Sequence, residues 1–329
     1  MLPLLRRTIV VLLVALAWPA AAEAQPLSLL LVQSSASDTA IEVSGGSAGT
    51  ARVQISVPAG FTLNLARPVG AKIGRASLQL ASAVDPTGSG ASAEGDVVVA
   101  DPASFAGNAR LRACAPGTHT AVWRLEPLDV PIFVDPAAGP DGALGGYDLR
   151  VCFDLRPGLS FAELDLDLER TVVPPRSTGI YVWRAFVTPL TAGGAIDEGA
   201  TYEARGLVPW PIVLSLHARR AKGKPRGRYV LSGRLVLAGK PRAHATIRLV
   251  RVALGAGEGL TFTVGTAKAA ETNGAGRFHV VVRVKRRTFF LVYWLAVPRE
   301  RCSSPSSAPG GCVSETTSPA LSDPVSVLP

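Results

Sequence analysis

The sequence contains few of the side chains that hold metals or haem. Only four His, four Cys and one Met occur among its 329 residues. No C-x-x-C pair is present, so the spacing on which most structural zinc sites are built is missing. We therefore expect no metal site and no cofactor.

Long helices are also not expected. The 33 Gly and 26 Pro residues disfavour helix interiors, because Gly costs backbone entropy and Pro lacks the amide hydrogen. Beyond residue 24, no stretch keeps the 3.6-residue period of an amphipathic helix over ten residues. The chain is nonetheless 47% hydrophobic, which supports a buried core and excludes wholesale disorder.

What the sequence does contain is strand alternation. Apolar side chains at every second position predict strands with one buried face. Such runs, separated by Gly, Pro, Asp and Asn turns, occur at 52–57, 147–155, 164–169 and 278–285. We predict an all-β fold of two Ig-like β-sandwich domains in tandem. The predicted core of the first domain includes Ile55, Phe61, Leu63, Leu78, Trp123, Phe153 and Trp183.

The N-terminus has the pattern of an export signal. Arg6 and Arg7 precede the apolar run Ile9–Trp18, and the small residues Ala22-Glu23-Ala24 follow. We predict a cleaved signal peptide at 1–24 and a secreted, extracellular or cell-envelope protein. The alternative is an uncleaved membrane anchor, because the apolar character extends to Ala22. No second transmembrane span is expected.

Export makes disulfides the expected state of the four cysteines. Three pairings are possible. We favour Cys114 with Cys152 and Cys302 with Cys312, because each pair then stays inside one predicted domain. Trp123 follows Cys114, and a Trp packed on an inter-sheet disulfide is seen in immunoglobulin sandwiches; the analogy here is one of architecture only.

The charge divides the chain into two halves. Residues 25–210 carry 13 Lys and Arg against 19 Asp and Glu, whereas residues 211–301 carry 19 against three. Two prolines interrupt the strand pattern near 206–211. We therefore predict an acidic N-terminal domain at 25–206 and a basic C-terminal domain at 207–329.

A basic run in the second half is the candidate binding site. Its positive side chains, together with a second basic cluster further along the chain, are Arg219, Arg220, Lys222, Lys224, Arg226, Arg228, Arg283, Lys285, Arg286 and Arg287. An exported protein is expected to meet anionic cell-wall polymer or polysaccharide rather than nucleic acid. Two alternatives stay open: a solvated loop without a ligand, and attraction to the acidic domain.

One part of the chain resembles a known family. Ser232–Leu237 leads to the turn Gly239-Lys240-Pro241, a strand follows at Ala245–Leu249, and Thr272–Phe278 supplies another turn and strand. This order is similar to bacterial Ig-like and carboxypeptidase-regulatory-like (transthyretin-like) modules over about 212–300. It departs from them at Asn273, where the family often has Asp. The resemblance implies a non-catalytic accessory or spacer module. The N-terminal domain resembles no known family.

Other constellations have simpler explanations. Gly45-Gly46-Ser47-Ala48-Gly49 matches G-x-S-x-G, but a nucleophile elbow needs a helix after the Ser, and a strand follows at 50–57. A hairpin turn accounts for these glycines. His119 has no spacing that links it to Ser47 as a base.

Two further patterns also resemble binding sites. Asp165, Asp167 and Glu169 line one strand face, which predicts a solvated sheet surface rather than a calcium site. Phe289–Val297 is apolar on both faces, which predicts a central strand rather than an aromatic sugar platform.

These observations favour a protein without catalytic residues. We predict a secreted structural or binding protein of the cell envelope or extracellular space, whose basic domain contacts anionic surface polymers. The alternative is a secreted carbohydrate-active or esterase-type hydrolase with an accessory Ig-like module.

Overall fold

The computed structural model describes most of the chain beyond residue 28. The described residues are 29–35, 37–44, 50–82, 92–126, 128–138, 142, 144–153, 159–191, 193–222, 226–254, 262–296, 298–302 and 312–328. Only the backbone is described at 81, 82, 159–161, 253, 254, 262–269, 300–302 and 312. Strands make up 61% and helices 6% of the structure, so the predicted all-β fold is confirmed.

The first sheet contains thirteen strands within the described residues. Neighbouring strands in this sheet are antiparallel, except that the strands at Tyr202–Trp210 and Cys312–Thr317 run parallel to each other. In spatial order the strands are β1 (Leu29–Ser34), β2 (Asp38–Ser44), β10 (Leu159–Glu169), β5 (Lys72–Ser82), β6 (Ser92–Ala100), β7 (Ala121–Leu125), β8 (Val130–Pro136), β9 (Tyr147–Cys152), β3 (Thr50–Val57), β12 (Gly179–Pro189), β13 (Tyr202–Trp210), β23 (Cys312–Thr317) and β22 (Arg299–Cys302). A separate pair joins β4 (Thr62–Leu63) and β11 (Val172–Val173).

Alternation places the core on one face of the first sheet. In β10, Leu164, Leu166 and Leu168 are buried while the acidic residues between them face the other way. Phe61 packs edge-on against Trp183, with ring centroids 5.2 Å apart. All seven predicted core residues are buried, so that prediction is confirmed.

The opposite face of the first sheet carries a helix and a disulfide. The helix α1 (Ala109–Cys114) begins at Asn108, whose Oδ1 accepts hydrogen bonds from the backbone N–H groups of Arg110 and Leu111. Cys114 at its end is bonded to Cys152 of β9, which confirms this predicted pairing.

The immunoglobulin analogy for the disulfide is wrong. The disulfide packs with Phe105, Val122 and Phe133, whereas Trp123 belongs to the core on the other side of the sheet. Consecutive residues of a strand point to opposite faces, so Val122 contacts the disulfide cluster and Trp123 does not.

The free edge of β1 is covered by β23 and the residues that follow it. Thr316 Oγ1 donates a hydrogen bond to the carbonyl of Leu30, and Ser318 Oγ donates one to the carbonyl of Val32. A side chain at Gly206 of β13 would lie 3.2 Å from the Leu30 oxygen, so β1 comes close to β13 as well. Side-chain hydroxyls thus satisfy carbonyls that would otherwise leave an open strand edge.

Two five-stranded sheets form the rest of the fold. The second sheet contains β14 (Ile212–Leu214), β15 (His217–Arg220), β16 (Arg228–Leu237), β17 (Lys240–Pro241) and β20 (Arg277–Arg283). The third sheet contains β18 (Thr246–Leu254), β19 (Phe262–Glu271), β21 (Thr288–Trp294), β24 (Ala320–Leu321) and β25 (Val325–Val327). Leu231 and Phe278 of the second sheet share one core with Leu249 and Phe290 of the third.

Strand β21 is central and buried on both faces, as predicted. Phe290 and Val292 belong to the core shared by the second and third sheets, while Leu291 and Tyr293 form a separate apolar cluster with Val250. The strand lies between β18 on one side and β24 and β25 on the other. The aromatic residues here are therefore packing residues.

The chain crosses between the two cores more than once. β13 runs through the predicted boundary at 206, and β22 and β23, from the basic half, pair within the first sheet. The two cores themselves draw on different parts of the chain, one on residues 30–208 and the other on residues 214–327. The division into domains at 206 stays a prediction.

The hairpin interpretation of the glycines at 45–49 is wrong. β2 lies between β1 and β10, whereas β3 lies between β9 and β12, so these consecutive strands are not paired. The G-x-S-x-G segment itself lies outside the described residues.

The second cysteine pair is described by its backbone alone. Cys302 and Cys312 are register partners in the antiparallel pair β22–β23. Their side chains lie outside the described residues, so the bond between them stays a prediction.

We expect the Cys114–Cys152 bond to be a main source of stability for the first sheet. It closes a loop with a sequence separation of 38 residues, so its loss should lower the free energy of unfolding by about 4 kcal/mol through added chain entropy. Urea denaturation of the Cys114→Ala/Cys152→Ala variant measures this change. An unaltered midpoint would contradict the expectation.

Gly233 of β16 should not tolerate a side chain. A Cβ there would lie 1.9 Å from the Ser215 carbonyl oxygen and 2.6 Å from the Phe278 ring. We expect Gly233→Ala to destabilise the fold by about 2–3 kcal/mol through overpacking. Gly274→Ala is the matched control, because nothing lies within 4 Å of its Cβ position. Equal melting temperatures for the two variants would show this packing account to be incorrect.

Candidate anion-binding face

The outer face of the second sheet is lined with cations. In β15, β16 and β20, alternate side chains enter the core and the others point away from it. The outward basic residues are His217, Arg219, Arg228, Arg234, Arg277, His279 and Arg283; together with Val230, Ser232 and Val281 between them they form what we call the basic face.

The register arranges the basic face in rows across three strands. Arg228 stands beside Arg283, and Arg234 stands beside Arg277. Between these outer rows, Ser232 has His217 on one side and His279 on the other. From the first row to the last, β16 advances six residues, which is about 20 Å of extended chain.

A shallow groove runs along the part of this face that contains Ser232, Arg234 and Arg277. Ser215, Ser232 and Asn273 contribute polar side chains to its lining, beside the cationic residues of the rows. Arg234 Nε donates a hydrogen bond of 3.1 Å to the Ala275 carbonyl, which holds this arginine against the turn before β20. The groove is therefore lined by cations, hydroxyl groups and an amide.

The arginines of the basic face differ from those of the first sheet in their partners. On the first sheet, Glu203 pairs with both Arg184 at 2.9 Å and Arg205 at 2.7 Å. In the part of the chain that the structure describes, no carboxylate forms an ion pair with a cation of the basic face. Strands β15, β16 and β20 contain no Asp or Glu. The positive charge of this face is thus directed to the solvent.

The predicted polyanion residues gather at one end of this sheet. Arg219 and Arg220 end β15, Arg228 begins β16, and the Val284 N–H donates to the Gly227 carbonyl at 2.8 Å, which joins the two turns at this end. Among the other predicted residues, exposed positions are found for Lys222, Arg226, Arg286 and Arg287, and Lys224 lies outside the described residues.

Two of the predicted residues also contact aromatic side chains. Arg220 Nε lies 3.4 Å from the Tyr229 hydroxyl, and the Arg287 guanidinium lies 5.4 Å from the centre of the Phe289 ring. Both arginines therefore have a packing role at this end of the sheet.

The sequence analysis missed four basic residues of this face: His217, Arg234, Arg277 and His279. It followed the charge along the chain, whereas these residues are brought together across strands by the register. The alternation of Arg277 and His279 with Phe278 and Val280 is the signal that would have placed them on one outer face.

The first sheet carries a separate group of carboxylates on its outer face. Asp165 of β10 is the register partner of Glu42 on β2 and of Ser77 on β5, and Ser77 Oγ donates to Asp165 Oδ2 at 2.8 Å. Oxygens of Glu42, Glu163 and Asp165 lie within 4.8 Å of one another, and we call these three residues the acidic cluster. Among the described residues, these are the ones that could share a cation.

Burial changes the protonation of the acidic cluster. It is the largest cause that raises the pKa of Glu42 to about 7, and the charges of Asp165 and Glu163 raise it further. Burial also raises the pKa values of Glu163 and Asp165, although the Ser77 hydrogen bond opposes this for Asp165. The predicted solvated acidic surface is thus half-buried at Asp165, and the sequence analysis missed Glu42 and Glu163.

His119 is held by hydrogen bonds within the fold. Its Nδ1 lies 2.8 Å from Asp135 Oδ2, its Nε2 lies 3.2 Å from the Ala115 carbonyl, and the ring packs on Phe133. Both ring nitrogens are thus engaged by acceptors of the protein. These contacts hold the ring between β8 and the segment that follows α1.

Comparison with known proteins adds no relative. The chain matches no protein-family model, and a search of the curated proteins finds no match. Across the described segments, no helix has the length and apolar character that a membrane crossing requires.

We expect the acidic cluster to make stability depend on pH. Because the folded pKa of Glu42 is raised from 4.5 to about 7, the folded state binds more protons than the unfolded state in this window. Stability should fall as pH rises from 4.5 to 7. Glu42→Gln should remove this loss and stabilise the protein above pH 7 by about 1–2 kcal/mol.

Thermal denaturation between these pH values tests the role of Glu42. Glu169→Gln is the control, because it removes a carboxylate from the same sheet face outside the acidic cluster. If Glu42→Gln gave the same pH profile as the parent protein, the acidic cluster would not govern the pH dependence.

Proposed function

We propose that this protein is a secreted, non-catalytic binding protein that holds anionic polymers on its basic face. The observation that supports this function is the set of five outward arginines whose charge no described carboxylate neutralises. An arginine that is already paired with an Asp or Glu side chain would gain little from binding an external anion. Unpaired guanidinium groups attract polyanions and release their counterions.

The choice of arginine favours oxyanion ligands. The five fixed cations of the face are Arg219, Arg228, Arg234, Arg277 and Arg283, and no lysine stands among them. Guanidinium groups bind phosphate, sulfate and carboxylate through paired, parallel hydrogen bonds, whereas an ammonium acts as a point charge. Rows of arginine that are spread over about 20 Å along the strands suit an extended polymer better than a single small ion.

Export is part of the proposal. The charged and apolar pattern of residues 1–24 and the oxidised Cys114–Cys152 pair both support an oxidising compartment outside the cytosol. In that compartment the abundant polyanions are surface polymers and polysaccharides, which fits the proposed ligand class. The segment that resembles Ig-like modules supplies β16, β17, β18 and β20. Such a module would present the basic face.

Binding to an anionic polymer tests the proposal. We expect retention of the protein by immobilised dextran sulfate at low salt, with an affinity that falls steeply as salt rises. Arg228→Gln/Arg277→Gln/Arg283→Gln should weaken binding by about 10- to 100-fold, since each exposed ion pair contributes up to about 1 kcal/mol.

The matched control is Arg75→Gln/Arg112→Gln/Arg176→Gln. This variant loses the same net charge from exposed positions of the first half of the chain. We expect it to bind nearly as well as the parent protein. Equal weakening in both triple variants would mean that net charge alone drives binding, and absent binding at low salt would refute the function.

The alternative function, a carbohydrate-active or esterase-type hydrolase, has less support. Its candidate nucleophile, Ser47, lies outside the described residues. Its candidate base, His119, has both ring nitrogens hydrogen-bonded to Asp135 and Ala115. It stays a prediction from the sequence.

A further inference from the structure

The two histidines of the basic face are arranged around one serine. His217 and His279 flank Ser232 on neighbouring strands of one antiparallel sheet. Adjacent strands lie about 4.8 Å apart, so both imidazoles border the space above the Ser232 hydroxyl. Both histidines are exposed, and both line the groove together with Ser232.

Arginines lie on both sides of this histidine row. Arg234 and Arg277 form the next row towards one end of the strands, and Arg219 stands two residues from His217 towards the other. The remaining charged groups of these strands on this face are Arg228 and Arg283, and the nearby Glu271 is hydrogen-bonded to His244 at 2.9 Å. The other charged side chains that these three strands place on the same face are therefore all arginines.

We infer that His217, Ser232 and His279 form a binding subsite for a singly charged tetrahedral oxyanion, a sulfate ester or phosphodiester of the polymer, which binds more tightly when the histidines are protonated. This inference rests on the proposed function and names its ligand group and its regulation. The hydroxyl and the two imidazolium rings supply three donors from three strands. A tetrahedral oxyanion has oxygens that can meet donors from several directions.

Proton uptake gives the subsite its pH dependence. Histidine changes its charge between about pH 8 and about pH 5. A bound anion between the two rings attracts the charged form of histidine more strongly than the neutral form. Anion binding and proton binding therefore support each other, and the groove binds more strongly as the pH falls.

The experiment measures affinity for dextran sulfate and for poly(glycerol phosphate) at about pH 8 and about pH 5.5, at constant ionic strength. Neither probe gains or loses charge in this range, so any change belongs to the protein. We expect about tenfold tighter binding at the lower pH for the parent protein. The probe with the larger pH effect identifies the source of the oxyanion.

Three variants separate the subsite from general charge. His217→Gln/His279→Gln should bind as the parent does at the higher pH and lose most of the gain at the lower pH. His244→Gln, which removes an exposed histidine outside the basic face, should keep the full gain. Ser232→Ala should weaken binding at both pH values by about threefold through loss of a donor.

The outcomes distinguish the two proposals. Salt-sensitive binding without a pH effect, or a pH effect that survives in His217→Gln/His279→Gln, overturns the subsite and leaves the proposed function standing. No binding of either polymer at any pH refutes the proposed function itself. Tighter binding of a single-stranded oligonucleotide than of both polymers would overturn the assignment to surface polymers.

Discussion

The two-residue period of the extended chain is the constraint on which this molecule depends. A strand that gives alternate side chains to a core leaves the others on the opposite face, whatever their chemistry. The side chains of β10 that point away from the core are acidic, and those of β20 are mostly basic. The side chains that point into the core are apolar on both strands. The fold therefore allows one architecture to carry surfaces of opposite charge without changing how either core is packed.

Register turns this local rule into a site. Side chains that are far apart along the chain come to lie on one face when strands pair. His217 and His279, for example, lie on either side of Ser232. The same pairing on the first sheet brings Glu42 against Asp165, where burial and like charge favour the protonated form. Cross-strand neighbours thus set the chemistry of both faces.

Sequence patterns predict where the strands of this protein lie better than they predict which strands pair with each other. Alternation identified β3, β9, β10 and β20, and the cores that these strands bury, because the period is a local property. It could not show that β2 and β3 are unpaired, or that β22 and β23 join the first sheet, because pairing is decided by contacts between distant residues. The same limit hid the histidine row and the acidic cluster.

The acidic half of the chain does not neutralise the basic face. Ion pairs between described side chains join partners from the same half, as Arg52 with Glu198 and His244 with Glu271 do. On the first sheet, for example, Glu203 is engaged locally by Arg184 and Arg205. Attraction between the halves would require these local pairs to break, at a cost that an exposed contact does not return. An external anion meets no such competitor, which is why an unpaired face of arginine favours a ligand from outside the molecule over an internal contact.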